Sequence, residues 1–579
     1  MALENILILA AASLLWATIF RNYGRTWFML IANVVVIFWL QPALPIRGAD
    51  FFTPIATLVL VVLTWFITAE DETRKQSKNV IILAIVAGIV LLLNLTRFLP
   101  TDLQLLTASR PPQLTTTLII FLVTGLTLLA LSRLTRFSAS FLTFGLLLTI
   151  GLFLLIKIPA LSLWLSSFLR TLSGQSLTNV SITDFRWLGF SYVAFRLIHT
   201  IRDKQSGRFP SVDVGEFITY IIFFPAFTAG PIDRLERFTK DLRAPFAGLN
   251  LETFYSAGQR LLIGLFKKFV IADALALIAL NDTNAAQVTS TFWMWVIVYA
   301  YAFQIYFDFS GYTDIALGIA QLLGIKLPEN FASPYLKPNL TQFWNNWHMT
   351  LTQWFRAYFF NPITRWLRSW QKPMSIPMMI LLSQVATMLL IGFWHGVTWN
   401  FTLWGLWHGL GLFIHNRWND AIKAKVEEGR LVMLPSPTWK GKKRGPTITA
   451  TGSIVTGATK HPDEVYKVFE WYNAREPADN RAASGWGVPA LKSMFAKIPK
   501  EGTYRSQVWG VLEKEMTFAD TTVRFNPYLQ GGEPGVVASL FLQFYEQALK
   551  GEMTFDELLQ KLEDETNIAI QDGIDQIGG

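Results

Sequence analysis

Six histidines occur in 579 residues, and four of them, His348, His395, His408 and His415, fall within a stretch of 68. Imidazole titrates near pH 6.5, so it is the side chain best matched to taking and returning a proton at neutral pH. The chain has no cysteine, which excludes a thiolate nucleophile, thiolate metal ligation and disulfides. Metal chemistry is disfavoured by spacing. His408 and His415 are seven residues apart and would share a helix face, but no H-x-x-x-H pair and no acidic residue at ligand spacing accompanies them. Neither a nucleophile elbow of the form G-x-S-x-G nor a glycine-rich phosphate loop stands in a plausible context. What remains is acid–base chemistry by imidazole. A single histidine on an apolar helix is commonly a packed core residue; clustering is what points to a site here.

Two stretches carry these histidines. In 301–361 an apolar segment holds Gln304, Asp308, Ser310, Tyr312 and Asp314, and two carboxylates in such a segment require partners or water. After a proline-bounded link at 328–338, helical periodicity places Thr341, Asn345, His348, Thr352 and Arg356 on one polar stripe, with Phe343, Trp344, Trp347, Leu351, Trp354, Phe355 and Tyr358 around it. A helix lying on the membrane surface would show the same pattern. The second stretch, IGFWHGVTWNFTLWGLWHGLG at 391–411, sets His395 at the end of one apolar run and His408 within the next.

The elements that must position these groups are apolar. A bilayer core of about 30 Å takes about 20 apolar helical residues to cross. Runs of that kind lie at 4–20, 52–69, 79–98, 116–133, 139–157, 291–309, 375–394 and 398–415, with weaker ones at 26–41, 185–199, 213–230 and 258–280. The expected fold is an α-helical polytopic membrane protein of about a dozen transmembrane helices. The first run lacks a basic n-region and does not read as a signal peptide. Basic clusters at 71–78, 202–208, 234–243, Lys267-Lys268 and 364–372 flank the runs, as cytoplasmic loops do. They form no continuous patch, so nucleic-acid binding is not expected.

Composition then changes. Residues 420–579 hold 19 basic and 22 acidic side chains, leaving 31 and 19 in the first 419. The chain's net +9 is thus the sum of +12 in a membrane-like part and −3 in a soluble one. The expected domains are a membrane region at 1–418 with a motif-bearing core at 185–416, a junction at 419–430, and a small, mostly helical soluble fragment at 431–579.

Five segments in order resemble one family: FFPAFTAGPIDR (223–234), GLFKKFVIAD (264–273), QIYFDFSGYTDIALGIAQLLGIKLPENFASPY (304–335), FWNNWHMTLTQWFRAYFFNPI (343–363) and FWHGVTWNFTLWGLWHG (393–409). They are similar to the membrane-bound O-acyltransferases (MBOAT), in the branch that contains alginate O-acetylation and teichoic-acid D-alanyl transfer proteins. The resemblance implies a ring of helices around a thinned centre. It implies a catalytic role for His395 in the W-H-G motif, and places His348 in the W-H-x-[ST]-L motif. Asn346 departs from the basic residue that relatives often carry there.

The implied reaction moves an acyl group, acetyl for instance, from a thioester such as acetyl-CoA or an acyl carrier to a hydroxyl of an extracytoplasmic polysaccharide, or towards a partner transferase. No bound cofactor or metal is expected, and the implied location is a bacterial-type inner membrane, multi-pass. His395 would be the general base, and His348 would orient or relay. Asn345 and other local donors would steady the oxyanion. Asp308, Ser310 and Tyr312 would line or brace a substrate tunnel, together with Gln304, Trp394, Asn400 and His408; equally, the first three would hold helices together by hydrogen bonds.

The end of the chain departs from that family. Segments GPTITATGSIV and ASGWGVPALKSM resemble the C-terminal part of extracellular solute-binding proteins of sugar importers. About 150 residues cannot supply both lobes of such a protein, so Trp439, Trp471 and Trp486 are expected to pack rather than stack on sugar. The acyltransferase part is short for its family, and Arg417, Lys423 and Lys425 favour a cytoplasmic exit. A joining of two unrelated coding regions is the expectation for this tail. Two rival functions stay open: a transporter with His348, His395 and Asp308 on a proton path, and a membrane-anchored sugar receptor.

Overall fold

The computed structural model describes residues 2–19, 24–100, 103–134, 137–246, 248–370 and 374–427, then 463–467, 470, 475–484, 492–516, 544, 553–554 and 556–565. Among the described residues every regular element is helical. Contacts divide the chain into two compact units, Met1–His415 and Asn416–Gly579.

The first unit begins with α1 (Leu3–Ile19), α2 (Arg25–Trp39), α3 (Ala49–Thr68), α4 (Ser77–Leu95), α5 (Leu114–Ser132), α6 (Ala139–Lys157) and α7 (Pro159–Leu172). The motif-bearing part adds α8 (Phe190–Gln205), α9 (Val214–Ile221), α10 (Leu235–Arg243), α11 (Leu251–Leu265) and α12 (Thr291–Leu322). It closes with α13 (Leu340–Asn346), α14 (Met349–Phe355), α15 (Asn361–Arg368), α16 (Ile376–His395) and α17 (Trp399–Glu427), the last of which runs on past the unit's end.

Among the described residues five helices are long and apolar enough to cross a membrane: Ala49–Thr68, Ser77–Phe98, Leu114–Ser132, Ala139–Lys157 and Ile376–His395. Most of α5 and α6 is unburied by protein despite its leucine, isoleucine and phenylalanine content, as lipid-facing helices are.

The run 213–230 is a correction to the sequence reading. It folds as the eight-residue α9, about 12 Å long, and a short turn at Phe224–Ala226. Pro225 and Pro231 cannot donate to a helical ladder. The carbonyls left over are collected elsewhere: the buried Arg196 guanidinium on α8 donates to Ile221 O at 2.7 Å, Ala226 O at 2.8 Å and Pro231 O at 3.3 Å.

Glycines bring two helix pairs into backbone contact. A Cβ on Gly264 of α11 would lie 2.7 Å from Gly311 O on α12, and one on Gly311 2.8 Å from Gly264 O. A Cβ on Gly405 of α17 would lie 2.6 Å from Met388 O on α16, and one on Gly392 would collide with Phe401 O. Lipid offers little hydrophobic drive for helix association, so close packing of small residues supplies it.

In the second unit, a helix is described over 556–565. Thr554 caps it, with its hydroxyl accepting from Glu557 N at 3.2 Å while the Glu557 carboxylate accepts from Thr554 N at 2.7 Å. Segment 445–455, Trp439, Trp471, Trp486 and most of 536–552 lie outside the described residues.

Candidate active site

Residues 341–358 do not form one helix, which corrects the polar-stripe reading. Helix α13 ends at Asn346, α14 starts at Met349, and a π-helical turn follows at Arg356–Phe360. Between the first two, His348 adopts left-handed backbone angles, φ 42° and ψ 54°. A residue with a Cβ pays about 1–2 kcal/mol for that conformation, so the surroundings must impose it.

Asn330, from the link before α13, does so. Its carbonyl accepts from Met349 N at 2.9 Å. Its side-chain Oδ1 accepts from Thr350 Oγ1 at 2.6 Å and Thr350 N at 3.3 Å. Ala332 N donates to Asn346 O at 3.1 Å on the other side of the break. Thr350 Oγ1 in turn accepts from Ile232 N at 3.1 Å, tying the break to the 223–234 segment. That segment is also held by the buried Tyr312, whose hydroxyl donates to Pro225 O at 3.0 Å and accepts from Thr228 Oγ1 at 2.9 Å and Ala229 N at 3.3 Å.

The break buries His348, which is 3% exposed. Its ring lies against Phe309 at 4.7 Å between centroids, with Trp394 at 6.0 Å and Tyr192 at 6.5 Å. His348 Nε2 has no hydrogen-bond partner. Neither do three other buried polar atoms in the same neighbourhood: Ser310 Oγ, next to Phe309; Trp394 Nε1; and Asn330 Nδ2. Buried polar groups are almost always paired. A concentration of unpaired ones marks a place where a polar ligand or water completes the bonding.

His395 ends α16 and is exposed. Its ring contacts Trp394 at 4.5 Å, stacks on Phe401 at 5.4 Å and meets Trp404 at 5.7 Å. The Trp394 indole therefore touches both imidazoles, one buried and one open. His408 continues the aromatic series, 4.7 Å from Trp404 and 5.2 Å from Trp344, whose Nε1 donates to His408 Nδ1 at 3.4 Å. His415 pairs with Thr341 Oγ1 at 3.0 Å.

The other expected residues separate. Asn345 is exposed, and its Oδ1 accepts from Arg356 at 2.9 Å. Asp308 is exposed and ion-paired with Lys268 from the π-helical turn after α11. Asp314 is buried between Lys267 at 2.7 Å and Arg260 at 2.6 Å. The two carboxylates thus have the partners their segment required. Gln304 is half-buried on α12, and Asn400 is exposed in the first turn of α17. Among the described residues no group of His, Asp and Glu could hold a metal ion. Tyr192, Asn330 and Trp404 are the site residues that sequence reasoning did not single out. Asn330 and Trp404 stand inside quoted motifs, whereas Tyr192 carries no local signal.

A cavity of about 220 Å³ adjoins the clamp. His199, Asp233, Arg234, Arg237, Thr350 and Tyr358 are among its lining residues. His199 Nε2 bonds the Tyr220 hydroxyl at 2.8 Å, and Arg237 is paired with Asp233.

Several curated proteins are similar in sequence. The chain is 32% identical over 278 residues to a teichoic acid D-alanyltransferase of Streptococcus thermophilus, covering 46% of this chain and 65% of that protein. It is 35% identical over 230 residues to a probable alginate O-acetylase of Pseudomonas syringae, with coverage of 39% and 42%. It is 36% identical over 213 residues to a peptidoglycan O-acetyltransferase of Helicobacter pylori, with coverage of 36% and 38%. The chain thus spans less than two thirds of the length of each of these relatives. Apolar helices and bacterial relatives together indicate a bacterial membrane protein. Residues 136–425, just over half of the chain, match the family model described as MBOAT, membrane-bound O-acyltransferase family, and the chain belongs to that family.

Proposed function

We propose that this protein is a membrane-embedded O-acyltransferase of the bacterial cell membrane. It moves an acyl group, acetyl in the simplest case, from a thioester presented on the cytoplasmic side to a hydroxyl of an extracytoplasmic polysaccharide or a partner transferase. The observation that carries this reading is the pair of imidazoles on one indole: buried His348, with an unpartnered Nε2, and open His395, both against Trp394. Family membership and the names of the relatives support the same class of reaction.

In this reading His395 takes the proton of the acceptor hydroxyl as its oxygen attacks the thioester carbonyl carbon. The carbon–sulfur bond breaks, the new ester forms, and the proton leaves with the sulfur as a thiol. His348, held in one orientation by the Asn330 clamp, donates to or relays from the reacting oxygen. The cavity beside Arg234 and Arg237 suits a phosphate-bearing thioester carrier, because 202–208 and 234–243 have the basic character of cytoplasmic loops. The donor would be acetyl-CoA or an acyl carrier.

The test is acyl transfer by His395→Ala and His348→Ala in proteoliposomes, with insertion checked by protease mapping. Loss of a general base should lower kcat by about 10²–10⁴-fold. Wild-type turnover in inserted His395→Ala would end this assignment. A transport reading would gain instead if either variant abolished uptake of a labelled solute and left acyl transfer intact.

A further inference from the structure

An indole N–H is a donor and nothing else, and its proton does not titrate in the range where imidazole works. Buried donors are almost always bonded, and three other indoles of this chain obey that rule. Trp65 Nε1 donates to Val212 O at 3.0 Å, Trp187 Nε1 to Thr57 Oγ1 at 2.8 Å and Trp354 Nε1 to Phe195 O at 3.1 Å. Trp394 Nε1 is buried and has no acceptor. Trp16 Nε1 is unpaired too, but its ring meets Phe28 and Phe246 rather than an imidazole.

What distinguishes Trp394 is its company. Its ring lies 4.5 Å from that of His395 and 6.0 Å from that of His348, whose own Nε2 is unpaired. The indole is also held still: Phe195 packs on it at 5.8 Å and Tyr192 meets it edge-on at 6.0 Å, both from α8. Packing alone accounts poorly for such a group, because an unmade bond at a buried donor lowers stability. A fixed, neutral, desolvated N–H suits an anionic oxygen that exists only while the reaction is under way.

Resting on the acyltransferase reading, we propose that Trp394 is a catalytic residue whose Nε1–H donates to the oxyanion of the tetrahedral intermediate. The acceptor oxygen loses its proton to His395 and bonds to the thioester carbonyl carbon. The π pair of the carbonyl moves onto its oxygen, and the indole N–H bonds that oxygen. The pair then returns, the carbon–sulfur bond breaks, and His395 gives its proton to the sulfur. The indole keeps its own proton throughout. Since the carbonyl oxygen carries less charge before attack, the bond strengthens in the transition state, and its loss appears in kcat rather than KM.

The plain alternative is an indole that only packs between two imidazoles. Removing the N–H without changing the shape separates the two. Site-specific Trp394→3-benzothienylalanine puts sulfur in place of the N–H and keeps the bicyclic ring, whereas Trp394→Phe removes both. Full-length protein in nanodiscs is given acetyl-CoA or an acetylated pantetheine carrier as donor, and a uronic-acid oligosaccharide or a polyol-phosphate oligomer as acceptor. The sulfur isostere should lower kcat about 10²-fold, with KM for donor and acceptor changed less than about twofold and the unfolding midpoint unchanged. Trp394→Phe should fall at least as far. Wild-type kcat in the isostere with damage confined to Trp394→Phe overturns the assignment, and so does a loss carried by KM. If the wild-type protein transfers acetyl between none of these donors and acceptors, or transfers it undiminished in His395→Ala, the acyltransferase reading falls and this assignment with it. Transfer that needs His395 but is indifferent to the isostere removes the Trp394 role alone.

Discussion

Replacing Asn330 by alanine tests whether the bend at His348 is imposed from outside its own helix. The substitution removes the acceptor of two bonds, Thr350 Oγ1 at 2.6 Å and Thr350 N at 3.3 Å, and leaves the Met349 N bond to the Asn330 carbonyl in place. Stranding a buried donor costs about 1–3 kcal/mol, while side-chain hydrogen bonds inside membrane proteins average about 0.6 kcal/mol. The two bonds together are therefore worth about 1–3 kcal/mol. The left-handed conformation at His348 costs about 1–2 kcal/mol. Since clamp and strain are of the same size, removing the clamp should let His348 relax. Its working orientation should then fall about tenfold in population, because 1.4 kcal/mol is a factor of ten. The expected result is a kcat lowered about tenfold with donor KM little changed, and an unfolding midpoint lowered by a few degrees in detergent. Asn330→Asp retains an acceptor and should keep most of the activity. Wild-type kcat in folded Asn330→Ala, or equal damage from Asn330→Asp, would refute the reasoning.

Three further outcomes follow from the packing and the ion pairs. Gly405→Leu should separate α16 from α17, since even a Cβ would sit 2.6 Å from Met388 O; overpacking of this kind costs about 1–3 kcal/mol, and turnover should fall with the unfolding midpoint. Tyr312→Phe keeps the ring and removes a hydroxyl with three bonds to 225–229, so stability should drop by about 1–2 kcal/mol in a thermal unfolding assay. Asp308→Asn breaks one exposed pair with Lys268, which is worth less than about 1 kcal/mol; near-normal turnover is expected, and a large loss would restore Asp308 to the reaction path.

Much of the candidate site could be read from residue types, because the side chains suited to acid–base chemistry are scarce in this chain. With six histidines and no cysteine, the clustering of His348 and His395 stands out against an apolar background, and the W-H-G and W-H-x-[ST]-L segments name the same two residues. The helical character of the spans was equally legible, since a long apolar run in lipid must satisfy its backbone internally. Their number was not. Helix Thr291–Leu322 is 32 residues long yet interrupted by Gln304, Asp308 and Asp314, and the 213–230 run is too broken by proline to cross as one helix.

Sequence by itself determined which residues could do chemistry here and that the elements around them are apolar helices. Tertiary structure decided how those residues meet. Helical periodicity assumes that the ladder continues, and on that assumption His348 shares a stripe with Asn345 and Arg356. Bonds from Asn330, 18 positions before His348, outweigh the ladder and turn the chain at that residue. Pairing across helices likewise settled the carboxylates, drawing Asp308 and Asp314 to lysine and arginine. Those choices depend on distances between segments far apart in the chain, which local spacing does not encode.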